Sequence, residues 1–197
     1  MKDLYLIGAG GHCASCIDVI ESTGIFNIRG VFDLPEKVGE KILGYTIIGS
    51  DEDISKYIQN NSSFLITIGQ IKSASPRIKV FESLIKSGAE LAIVVSPRAY
   101  VAPSAEVGLG TIVMHDALVN ARARIGINSI INTKSLIEHD AEIGNHCHIS
   151  TAAVVNGSAR IMDKAFLGSN ATVREKGLVS EAAVIPAGCF VRDRYDI

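Results

Sequence analysis

The sequence is short of the features by which many functions announce themselves. Its 197 residues hold nineteen Lys and Arg against twenty-one Asp and Glu, a net charge of −2, and no basic run long enough to track a phosphate backbone. Nucleic acid and anionic membrane surfaces are therefore not expected partners. No stretch of eighteen or more apolar residues is present to span a bilayer, and Met1 leads straight into "DLYLIGAGG" without a basic then apolar leader, so the expected location is the cytoplasm. Cysteine is sparse. Cys13, Cys16, Cys147 and Cys189 are scattered, and a chain that is 47% hydrophobic has core enough to fold without a disulfide framework. Cys13 and Cys16 form a CxxC, and with no second CxxC to complete a structural zinc site they read as part of a helix rather than as a metal or redox pair.

What is present comes in two halves with different periods. In the first, "LYLIG" (4–8) reads as a buried strand, "GHCASCIDVIEST" (11–23) as a helix, and "IRGVFD" (28–33) and "FLITIG" (64–69) as further strands. Ser75 and Pro76 open a second helix that Gly88 ends, and "LAIVV" (91–95) reads as the last strand. Strands alternating with helices imply a parallel, Rossmann-like sheet. The "GAGGH" loop sits between the first strand and the first helix, where backbone N–H groups and a helix N-terminus favour a phosphate. It is not the full dinucleotide fingerprint, because Cys13 stands where the third glycine belongs. A tight strand-to-helix turn is the alternative reading of the same loop.

After Ser96-Pro97 a six-residue period takes over. Written from Val101, the chain runs VAPSAE, VGLGTI, VMHDAL, VNARAR, IGINSI, INTKSL, IEHDAE, IGNHCH, ISTAAV, VNGSAR, IMDKAF, LGSNAT, VREKGL, VSEAAV, IPAGCF, then Val191. Each hexad opens on Val, Ile or Leu, and its fifth residue is always small. A narrow triangular solenoid explains both regularities: each hexad supplies one short strand and one turn, and three complete a coil of eighteen residues. The aliphatic residue fills the interior and the small one fits the crowded corner. One hexad buries little alone, so the fold is stable only as a stack, here five coils and roughly 24 Å tall at the inter-strand spacing.

"IEHDAEIGNHCH" (137–148) gathers three of the five histidines. A coil of eighteen puts Ala121 directly below His139 and Gly157 directly above it, so the imidazole has small neighbours on both sides. Gly157 is expected to keep the acceptor pocket open, and it is counted among the acyl-CoA-binding residues. A neutral imidazole suits a general base near neutral pH. Asp140 is its natural partner only if the chain turns there, since neighbouring residues on a strand face opposite ways; Glu138 is the fallback. His146, Cys147 and His148 invite a zinc reading, but Cys147 occupies the inward fifth position of its hexad, so no metal is expected.

The repeat, plainest in "IGINSI", "IGNHCH" and "LGSNAT", resembles that of the left-handed β-helix acyltransferases. The order of parts is more specific: "LIGAGGH" in a small sheet domain (1–96), then "SPRAYVAPSAEVG", then "INTKSLIEHDAEIGNHCHIS" within the repeats (97–197). That combination resembles the bacterial sugar acyltransferases of the bacillosamine and sialic acid pathways, most nearly the type that N-acetylates a UDP-linked 4-amino sugar. The resemblance implies acetyl-CoA as acyl donor and a homotrimer with active sites between adjacent solenoids. It implies His139 as general base with Asp140 beside it, and His148 against the acetyl group. Asn132 is implied as a polar residue near the substrate, with Ser169 and Ala187 along the CoA groove. Gly10, Gly11 and His12 are implied around the sugar nucleotide, with Asp33 and Gly69 near the nucleoside. The chain closes on "CFVRDRYDI" without a "G-V-P-A-K"-like tail, which leaves open how the adenosine end is held. O-acetylation of a sialic-acid-like sugar, and a non-catalytic trimeric scaffold, are the rival readings.

Overall fold

The computed structural model describes residues 1–58 and 62–195. The chain falls into two compact units, one of Met1–Gly69 with Ser75–Ile93, the other of Gln70–Ala74 with Val94 onward. Among the described residues no helix is long and apolar enough to cross a membrane.

The first unit runs β1 (Lys2–Ile7), α1 (Gly11–Thr23), β2 (Phe26–Phe32), β3 (Lys41–Ile42), β4 (Tyr45–Gly49), β5 (Ser62–Ile66), α2 (Ser75–Lys86) and β6 (Glu90–Leu91). Its sheet has the order β3-β4-β2-β1-β5-β6. In β1, Leu4, Leu6 and Ile7 are buried, the apolar run of a strand covered on both faces. Helix α1 buries Cys13, Cys16, Ile17 and Ile20 along one stripe, and Gly24 ends it at φ +66° with its N–H on Glu21 O. The sheet is not purely parallel as expected. Strands β3 and β4 form an antiparallel hairpin through Leu43 and Gly44, at φ +47° and +89°. The sequence hid this turn because leucine stands where Asn or Asp would normally announce positive φ.

The second unit is a left-handed parallel β-helix of three six-stranded sheets. The faces carry strands beginning at Val94, Ile112, Ile130, His148, Phe166 and Val184; at Tyr100, Leu118, Leu136, Val154, Thr172 and Phe190; and at Glu106, Arg124, Glu142, Arg160, Leu178 and Arg194. Below the last coil, partners are eighteen residues apart, as in Leu136↔Val154. Hexad-opening aliphatics and small fifth residues form one continuous core, from Val113 and Ala117 to Ala183 and Val191. The corners share one device. From Gly110 to Gly188 every fourth hexad residue has positive φ, between 51° and 72°, and most are not glycine. A left-handed residue costs about 1 kcal/mol or more outside glycine. Stacking offsets this, because the same residue's N–H bonds the coil below: Asp140 N to Ala121 O, Ser158 N to His139 O, each at 3.0 Å.

Two departures occur at the ends of the prism. "LAIVV" is not one strand: Leu91 pairs in the first sheet, whereas Val94–Val95 pair with Ile112–Val113. Val95 and Ala99 therefore make "VSPRAY" a further hexad, which gives the first face its sixth strand. At the other end Leu178 pairs with Arg194, sixteen residues on, so the final turn is two residues short.

Candidate active site

His139 and Asp140 stand in the corner that follows strand Leu136–Ile137. Asp140 is one of the left-handed corner residues, at φ +59°, and that turn brings two adjacent side chains together: His139 Nδ1 lies 2.8 Å from Asp140 Oδ2. With the carboxylate accepting, Nδ1–H donates, and in the neutral ring Nε2 then carries the lone pair. Glu138 is not the partner. Its Oε2 accepts from Asn120 Nδ2 and from the backbone N–H of His139.

The sequence reading missed Arg122. Its Nε and Nη2 donate to the two oxygens of Asp140 at 2.6 and 2.8 Å, a bidentate pair one coil down. Arg122, and then His139, hold the Asp140 carboxyl well below the usual carboxylate range. The signal was available: counting back eighteen from Asp140, as from His139, gives Arg122. Gly157 also acquires a specific reason. A Cβ there would stand 2.8 Å from Cε1 and 2.9 Å from Nε2 of His139, so the imidazole itself occupies the space over this glycine. Beside it opens a cavity of about 550 Å³ lined by Glu138, His139, Asn156, Gly157, Arg174, Glu175 and Phe190.

The structure does not bring His148 and Asn132 to this corner. His148 opens a strand on another face and Asn132 follows that face's preceding strand, where the two pair with each other. His148 is 7% exposed; Nδ1 meets Gln70 O at 2.6 Å, Nε2 meets Asn132 Nδ2 at 3.0 Å, and Phe166 packs edge-on against the ring. Both ring nitrogens are thus engaged within the unit. Ser169 and Ala187 follow strands of that same face, in successive coils, with Ser169 Oγ 3.2 Å from Ser150 Oγ. His146, Cys147 and His148 diverge. Cys147 is inside the prism with its thiol on Met162 O and burial pushing it up to about 12, while His146 Nδ1 meets Asn128. Among the described residues no group of three or more His, Cys, Asp or Glu is placed to hold a metal.

In the first unit the structure gathers Gly10, Gly11, His12, Asp33 and Gly69 around one cavity of about 560 Å³. It lies at the C-terminal ends of β1, β2 and β5, where strand order reverses and open α/β sheets bind ligands. Gly8, at φ +102°, must be glycine, since a Cβ would stand 2.5 Å from Ile68. Gly10 and Gly11 have open space beside them. Burial alone would raise the Asp33 carboxyl, but hydrogen bonds from Leu34 N, Ala9 N and Lys37 outweigh it and hold the group below its ordinary value. Asp33 therefore braces the glycine loop as well as lining the cavity. His12 lines it too, with Nε2 3.4 Å from the thiol of Cys16.

A glycine-loop sheet unit joined to a left-handed β-helix is a fold that this chain shares with solved acetyltransferases. Residues 3–84 match the family model of the PglD N-terminal domain. The acetyltransferase domain of PglB from Neisseria gonorrhoeae superposes over 100% of this chain and 94% of its own, with TM-score 0.91 and 24% identity. A mutant of perosamine N-acetyltransferase from Caulobacter crescentus, in complex with CoA and GDP-perosamine, superposes over 98% of this chain and 90% of its own, with TM-score 0.89 and 25% identity. An uncharacterized protein of Acanthamoeba polyphaga mimivirus is 36% identical over 110 residues, 56% of this chain and 21% of the viral protein. The chain thus spans about a fifth of that curated relative.

Proposed function

We propose that the chain is an acetyl-CoA-dependent N-acetyltransferase acting on the amino group of a nucleotide-linked sugar. The observation that carries this reading is the His139 corner. Its Nδ1 is fixed on an ionised Asp140, its Nε2 takes no hydrogen bond among the described residues, and a cavity opens beside it. In the proposed reaction the sugar amine attacks the thioester carbon and a C–N bond forms while Nε2 takes the amine proton. The tetrahedral intermediate then releases the thiolate by C–S cleavage, and the imidazolium returns the proton to sulfur. A positioned base of this kind contributes about 10²–10⁴ in rate. Asp140 holds the ring and favours the imidazolium, and Arg122 fixes Asp140.

The cavity of the first unit supports a nucleotide carrier. The UDP carrier and the 4-amino position rest on the likeness to the bacillosamine enzymes, and the Caulobacter crescentus neighbour is bound to GDP-perosamine, so UDP and GDP sugars are the pair to compare. A homotrimer is supported by the second face of the prism, whose outward row is apolar but for Thr172 and ends in Tyr100 and Phe190, 56% and 55% exposed. In such a trimer the corner carrying Ser169 and Ala187 in one copy lies beside the His139 corner of the next. We assign His148 and Asn132 to bracing that groove, since each occupies the other's polar atoms.

The test is thiol release from acetyl-CoA with a panel of UDP- and GDP-linked amino sugars. Turnover with at least one of them is expected. Binding of acetyl-CoA without binding of any nucleotide, with acetylation of a free sialic-acid-like sugar instead, overturns the N-acetyl reading.

A further inference from the structure

The CxxC of helix α1 takes no part in the acyl transfer. Both of its thiols are buried, and burial raises both, so neither is the thiolate that redox chemistry or a metal needs. They have separate partners. Cys13 is hydrogen-bonded by Thr67, whose hydroxyl lies 3.1 and 2.6 Å from Ile7 O and Gly8 O, so this cysteine belongs to the bracing of the glycine loop. Cys16 instead meets the imidazole of His12, with Sγ 3.4 Å from Nε2.

The helix produces this meeting. His12 and Cys16 are one turn apart on the same face of α1, and helical side chains lean toward the N-terminus, so Cys16 reaches back to the ring. Cys16 has no exposure, whereas His12 lines the cavity of the first unit. The imidazole is therefore gripped at Nε2 from inside. Of the two ways to share a proton, S–H donating to Nε2 is the stronger, because an imidazole nitrogen is a good acceptor and sulfur a weak one. Nε2 then carries the lone pair, and the proton of the neutral ring stands on Nδ1. A carboxylate in place of the thiol would accept from Nε2–H and leave the lone pair on Nδ1.

The surroundings call for a donor. Gly10 caps α1 without a side-chain hydrogen bond, no acidic residue stands in the first turn, and Gly10 and Gly11 have open space beside them. A phosphate there meets backbone N–H groups and the positive end of the helix. An imidazole lone pair would repel it, and an imidazole N–H adds to its donors. We propose that Cys16 is a positioning residue whose S–H holds His12 in the Nδ1–H tautomer, giving the cavity a neutral donor for the diphosphate of a nucleotide. This rests on the nucleotide-carrier reading of the first unit. It also sets His12 apart from His139, where the same tautomer puts the proton on Asp140 and the lone pair to use.

The experiment reads the tautomer directly. Long-range proton–nitrogen correlation spectra of the full chain distinguish Nδ1–H from Nε2–H imidazole, and H12Q identifies the His12 signals by their loss. The ligand-free wild type should show the Nδ1–H pattern. C16A should move His12 toward Nε2–H, and C16S, which keeps a donor, should preserve the wild-type pattern. In titrations with UDP and GDP, C16A should lower the affinity for whichever the wild type binds by about fivefold or more, with recovery in C16S. Affinity for the matching nucleoside, which has no phosphate, should stay within about twofold. Equal losses for nucleotide and nucleoside, an Nε2–H ring in the wild type, or a C16A variant indistinguishable from wild type overturns the inference. A chain that shows the Cys16-dependent tautomer but binds neither UDP nor GDP defeats the nucleotide reading and leaves the tautomer assignment standing.

Discussion

At the scale of the residue the decisive group is His139. Replacing it with alanine should cut turnover by about 10²–10⁴ in steady-state assays, with little change in acetyl-CoA affinity, because a base acts on the acceptor in the transition state. Near wild-type turnover would return the corner to a structural role. Asp140 tests the mechanism through pH. Its carboxyl is depressed, first by Arg122, so whatever stability the charge gives is present above the unfolded pKa and is lost only as pH falls through the depressed value. It does not titrate where an imidazole does. Asp140→Asn should therefore lower turnover by about tenfold or more throughout the pH range above that depressed value, because Nδ1–H loses the charged acceptor that holds the ring. Wild-type turnover in that variant contradicts this arrangement. His148→Ala should act mainly on stability, lowering it by about 1–3 kcal/mol in chemical denaturation because Gln70 and Asn132 lose their partner. A weakened acetyl-CoA complex with unchanged stability would restore it to the acyl contact. The sequence could point to His139 from its small stacked neighbours. It could not show that Asp140 reaches it, because alternation on a strand forbids the meeting and only the left-handed corner permits it.

At the scale of the element, the six-residue period was legible because each hexad repeats one packing problem: a large aliphatic inside and a small residue at the corner. Ala141 is such a small residue, with no exposure. Ala141→Leu should destabilise the prism by about 1–3 kcal/mol, read in thermal and chemical unfolding, as overpacking of a dense core does. Ala182, exposed and at φ +56°, makes the contrast, since glycine there relieves the left-handed backbone and should be tolerated. The strands that escaped sequence reading had physical cover. Val94–Val95 follow an apolar run that reads equally well as a buried strand of the sheet, and periodicity alone cannot divide such a run between two sheets. The β3–β4 hairpin turns on a leucine in a conformation leucine rarely adopts.

At the scale of the whole molecule the three faces of the prism differ in kind. The first is buried at Val94, Ile112 and Ile130; the third alternates Glu106, Arg124, Glu142 and Arg160, with Arg160 and Glu142 paired at 3.3 Å; the second is open and apolar but for Thr172. Light scattering at micromolar concentration should give a trimer, and Leu118→Arg on the second face should give smaller species that lose turnover although His139 is intact. A wild-type monomer, or full activity in a dissociated variant, refutes an intersubunit site. The uninterrupted stack of coils also sets where the prism opens first. With each coil resting mainly on its neighbours, local unfolding proceeds as fraying from the two ends, and amide exchange with deuterium should slow layer by layer toward the middle. The ladder bonds of Glu138 N to Val155 O and Ser158 N to His139 O lie in that middle, so the His139 corner occupies the layers that open last.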